Sequence, residues 1–127
     1  FQVLLMAATI EKIASVKAKP VRLVYGKGYE DCAVSEATHV AINMPGPTGR
    51  LTLPVILSGS RDKLGGWTWN GSTEAPTLRP SVKTTSHEGW VCHSWINDGN
   101  AQFLGDSTHD LAGQTVPLLE VSANADD

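Results

Sequence analysis

The chain has 127 residues, 41% hydrophobic and 18% charged, with a net charge of −3, which suits one modest core and argues against wholesale disorder. Its longest apolar runs, such as Leu53 to Leu57, are far too short for a membrane-spanning helix. The charge is uneven: residues 1–29 carry five cations against one acid, whereas residues 86–127 carry seven acids and no Lys or Arg. That last third disfavours a nucleic-acid surface and permits a cation.

In chain order, Met6 reads as a native start after upstream residues, with 1–8 flexible. Ile10 to Val16 is ambiguous; Ile10, Ile13 and Ala14 fit one helical face that Pro20 would stop. Val21 to Tyr25 reads as a short strand closed by glycines. From Thr38 to Met44 the residues alternate, with Thr38, Val40, Ile42 and Met44 on one face and His39, Ala41 and Asn43 on the other. Leu51 to Leu57 is a further strand whose Pro54 predicts an edge or a bulge.

Ser58 to Gly66 is a polar loop. Trp67 and Trp69 share one face of a strand, and at least one of them is expected to be buried. Pro76 and Pro80 bracket a short extended segment before a strand over Val82 to Thr85. The firmest local feature follows: Asp98-Gly99 sits where a two-residue primed turn demands positive φ, which would pair Trp95 with Gln102 and His93 with Leu104. Residues 120–127 read as a flexible acidic tail. These elements predict a single, mostly antiparallel β domain with at most one or two short helices.

Residues 66–118 carry WTWNG (67–71), PTLRPS (76–81), CHSW (92–95), NDG (97–99) and DSTHDLAGQTV (106–116). In this order they resemble a family of small phage and prophage proteins often labelled "ammonia monooxygenase". That label fits poorly, because the membrane copper enzyme needs spanning helices. The resemblance implies a mobile-element accessory protein, cytoplasmic or virion-associated. In the family pattern Cys32 and His39 keep their places, while Ser35 and Ser107 stand where cysteines are usual.

Several residues offer chemistry. Cys32, His39, Cys92 and His109 are a candidate zinc set, with His93 as a rival. Serine is a poor zinc ligand, however, so the chain is expected to fold without metal and to need no cofactor. Cys92 also reads as a small buried hydrophobe on a central strand, the reading preferred over a metal ligand. As a nucleophile it would use His109 or His39 with Asp106, because neighbouring His93 points to the opposite face of the strand. Asp106 has a plainer role as cap of the turn from Thr108 to Ala112, ended by Gly113. Trp67, Trp69 and Trp95, with His93 and Asp106, are candidates for a ligand groove, the alternative for the indoles being core packing.

The expectation from these features is a non-enzymatic accessory binding protein that engages a protein partner or itself, and neither nucleic acid nor membrane. The alternatives are a metal-dependent or cysteine-based hydrolase at Cys92/His109, and a virion structural protein.

Overall fold

The structure, a computed structural model, describes residues 16–57 and 66–121. The ambiguous segment at 10–16 falls almost wholly outside them, as does most of the polar loop. Among the described residues nine strands run in chain order: β1 (Lys19–Val24), β2 (Gly28–Asp31), β3 (His39–Met44), β4 (Gly49–Leu57), β5 (Trp67–Trp69), β6 (Leu78–Thr85), β7 (Val91–Asn97), β8 (Asn100–Phe103) and β9 (Thr115–Pro117). The helical content of the described residues is one 3-10 turn at Val34–Glu36. The expected mostly β domain is what forms.

The strands make one sheet in the order β2-β1-β3-β4-β5-β6-β7-β8-β9. Every pairing is antiparallel except β4 with β5. Tight turns need antiparallel neighbours, whereas the long connection across residues 58–65 frees β5 to run parallel to β4. Pro54 does not mark a sheet edge. It lies at the point where β4 changes partner, opposite His39 on β3, and the next residue, Val55, is already opposite Trp67 on β5. A residue without an N–H suits a place where one ladder stops and another begins.

The alternation read from the sequence decides which faces are buried. Val40, Ile42, Met44 and Leu53 join Trp69, Leu78, Val82, Cys92, Ile96, Ala101 and Phe103 in one core. Residues from both halves of the sheet share that core, so the sheet curls. The chain after β9 ties the curl together: Leu119 bridges Asn43 of β3, and the Val121 N–H donates to the Val16 carbonyl at 2.8 Å.

The β7–β8 hairpin has the expected register, with Trp95 opposite Gln102 and Asn97 opposite Asn100. Asp98 and Gly99 have φ of 50° and 81°, as a primed turn requires. A Cβ on Gly99 would also come within 3.3 Å of the Glu74 carbonyl and the Ala75 Cα. Gly99→Val is therefore expected to destabilise the fold by about 1–3 kcal/mol, measured by urea unfolding. An unchanged midpoint would mean that the turn is not built this way.

Candidate active site on the outer face of β6 and β7

Along β7, Cys92, Ser94 and Ile96 point into the core, and His93, Trp95 and Asn97 point outward. The adjacent Cys92 and His93 therefore serve opposite faces. Cys92 is 2% exposed, while His93 is partly exposed on a strand paired on both sides.

The strand opposite it is irregular. Leu78 of β6 faces Ile96, and Val82 faces Ser94. Arg79, Pro80 and Ser81 thus span what Trp95 alone spans on β7. In a regular strand Pro80 would share the inward face with Leu78 and Val82; here it is exposed. A bulge of this kind re-aims side chains and is common beside active sites. Here it turns Ser81 toward His93, and the Ser81 Oγ lies 2.9 Å from His93 Nε2. The Trp67 indole N–H steadies the same residue by donating to the Ser81 carbonyl at 3.3 Å.

On the far side of the imidazole, His93 Nδ1 lies 3.1 and 3.0 Å from the two oxygens of Asp106. A carboxylate only accepts, so Nδ1 carries the proton, which leaves Nε2 to accept from the Ser81 hydroxyl. The hydrogen bond from His93 holds the Asp106 carboxyl below its ordinary range, helped by the charge of Lys83. Asp106 is thus not a turn cap by its side chain; its carboxylate orients a histidine. The next residue holds the backbone of that histidine. Ser107 Oγ accepts from the His93 N–H at 3.0 Å and donates to the His93 carbonyl at 3.1 Å.

Serine, histidine and carboxylate in one hydrogen-bonded line are the parts of an acyl-transfer site. Residues 29–104, more than half of the chain, match the family model of the bacterial ubiquitination-like system serine protease, BubE. The chain belongs to the BubE family. The matched segment contains Ser81 and His93, and Asp106 follows two residues beyond it. No curated protein and no solved structure gives a significant match.

Membership of a serine protease family overturns the expectation of a non-enzymatic phage accessory protein. That expectation followed the resemblance to phage proteins, and the hydrolase alternative followed Cys92. Strand alternation had separated Cys92 from His93, but the outward residue was the one with partners.

The other candidates lie elsewhere. Cys32 and Cys92 are both free thiols. Burial pushes the Cys32 thiol upward, which disfavours the thiolate that a metal or a nucleophilic role needs. Burial pushes His39 downward, and its ring packs on Tyr29 with centroids 5.0 Å apart. His109 packs edge-on against Phe103 at 4.8 Å. Among the described residues no three His, Cys, Asp or Glu side chains gather as metal ligands would. Trp69, 1% exposed, belongs to the core, Trp67 is half-buried beside it, and Trp95 lies outward under Arg79.

Sequence reasoning named His93 and Asp106 and missed Ser81. No local signal marked Ser81, because its approach to His93 depends on the register offset between β6 and β7.

Two measurements probe this geometry. Ser107→Ala leaves the His93 N–H without its partner in a part-buried setting and is expected to destabilise by about 1–3 kcal/mol, read by urea unfolding; no change would mean that the clamp is dispensable. His93→Phe removes the main cause of the Asp106 shift, the hydrogen bond from the imidazole, so the Asp106 carboxyl should titrate at higher pH than in the native chain. Carboxyl carbon NMR follows this directly, and an unmoved midpoint would argue against the pairing.

Proposed function

We propose that the chain is a serine protease that cleaves a peptide or isopeptide bond in a protein of a bacterial ubiquitination-like system. Ser81 is the nucleophile, His93 the general base and Asp106 the carboxylate that orients it. The observation that carries this reading is the continuous relay from Ser81 Oγ through both nitrogens of His93 to Asp106, found in a chain of a serine protease family.

The chemistry follows from the geometry. Ser81 Oγ attacks the scissile carbonyl carbon while its proton passes to His93 Nε2. Asp106 stabilises the resulting imidazolium through Nδ1–H. His93 then returns the proton to the departing amine, leaving an acyl ester on Ser81. Water attacks that ester with the same histidine as base. The three residues occur in the chain order serine, histidine, aspartate. The roles are defined by geometry, and unrelated folds reach them in different orders. The reading assigns no step to a metal. Its substrate is a protein, in keeping with the expected protein partner, and among the described residues no helix is long and apolar enough to cross a membrane.

A fluorophosphonate probe tests the proposal, because it reacts covalently only with an activated serine. The native chain should label at Ser81, located by peptide mapping, and Ser81→Ala should not label. His93→Gln should slow labelling on the order of 10²–10⁴-fold. Asp106→Asn should slow it less, since this carboxylate is half-exposed and water can take part of its place. Labelling that persists in Ser81→Ala, or none in the native chain, would remove Ser81 from the reaction.

A further inference from the structure

Two residues before the nucleophile, Arg79 presents a fixed positive charge. Its guanidinium lies 5.1 Å from the centre of the Trp95 ring. One terminal nitrogen donates to the Leu78 carbonyl at 2.7 Å and to the Ile96 carbonyl at 3.3 Å; the other donates to Asn97 Oδ1. All three acceptors are neutral. The cations of the opposite half of the sheet are matched differently: Lys19 pairs with Asp31, and Arg22 with Glu30 and Glu36. Lys83, across from His93, has Asp106 close enough to feel its charge. Arg79 forms no ion pair among the described residues. A guanidinium has five donors, so those three bonds leave two for a ligand.

Arg79 also walls a pocket of about 180 Å³ together with Thr68, Trp69, Asn70 and Thr77. Each of the other polar side chains of this pocket already makes hydrogen bonds within the protein. Asn70 Oδ1 accepts from the Ser72 and Thr77 N–H groups, both at 3.1 Å, and its amide donates to the Ala75 carbonyl. Thr77 Oγ1 accepts from the Asp98 N–H, and the Thr68 hydroxyl donates to the Arg79 carbonyl. Arg79 is the one charged residue in the lining of this pocket. Residues 79 and 81 are at most about 7 Å apart along the backbone, and the guanidinium extends past Trp95 toward Asn97, where a side chain of a substrate residue neighbouring the scissile bond can reach it.

We infer that this pocket is a specificity subsite in which Arg79 binds the carboxylate of an Asp or Glu side chain near the scissile bond. The inference rests on Ser81 being the nucleophile. Stacking on Trp95 and three hydrogen bonds hold the guanidinium in place before substrate arrives, so little side-chain freedom is lost on binding. A carboxylate can take both remaining donors, and such charge-assisted bonds outweigh those to a neutral amide. The acidic last third of the chain is no competitor, since none of its carboxylates pairs with Arg79 among the described residues.

The test uses short peptidyl phosphonate probes that label Ser81, identical except for Glu, Gln or Lys at one position at a time. In the native chain, one position should label faster with Glu than with Gln by at least about tenfold. Arg79→Gln should collapse that ratio to about two or less. Arg79→Lys should keep a preference for Glu, and Arg79→Glu should reverse it in favour of Lys. Each ratio is taken within one variant, so a partly unfolded population cancels. Native labelling without a Glu preference at any position would overturn the subsite alone, as would a preference that survives Arg79→Gln. Failure of a small fluorophosphonate to label native Ser81 would instead overturn the protease reading, and the subsite with it.

Discussion

The site depends on a mismatch between two neighbouring strands. Arg79, Pro80 and Ser81 of β6 lie where β7 has only Trp95, while Leu78 and Val82 on either side stay in the core. The buried ends anchor the strand, and the excess must bow outward. Pro80 suits that position because it has no N–H to leave unpaired. The bow carries Ser81 to His93. It also places Arg79 over Trp95, so nucleophile and neighbouring cation come from one irregularity.

The base, by contrast, sits on regular structure. β7 lies between β6 and β8, its inner residues are buried, and the backbone of His93 is bonded by Ser107 Oγ and by the Leu104 N–H at 2.8 Å. A catalytic group on a strand fixed from both sides has little positional freedom, which favours a preorganised site. Asp106 is the less constrained member, held in a turn and half-exposed. Its contribution is orientation and tautomer, through two oxygens that both reach Nδ1.

The cysteine and histidine pattern drew attention to the right stretch and to the wrong face of it. Cys92 fills the core beside Phe103 and Ala101, where a free thiol behaves as a small hydrophobe. His109, Cys32 and His39 are each engaged locally, on Phe103, near the end of β2 and on Tyr29. Ser107, which stands where the resembled pattern has a cysteine, supports the base through its hydroxyl. Serine is common in turns and on surfaces, so neither Ser81 nor Ser107 carried a chemical signal until its neighbours across the sheet were known.

The sequence by itself determined what short-range physics controls. Asp98-Gly99 requires a primed turn, because both residues sit at positive φ, and that turn sets the β7–β8 register. Period-two alternation assigned Val40, Ile42 and Met44 to the core and put His93 opposite Cys92. Three features were decided only by the tertiary structure: the change of partner at Pro54, the parallel pairing of β4 with β5, and the three-against-one offset that brings Ser81 to His93. Each joins segments whose alignment is set by how both halves of the curled sheet fill one core. Local residue pattern does not encode such an offset, because it is the packing of Leu78 and Val82 against distant side chains that holds it.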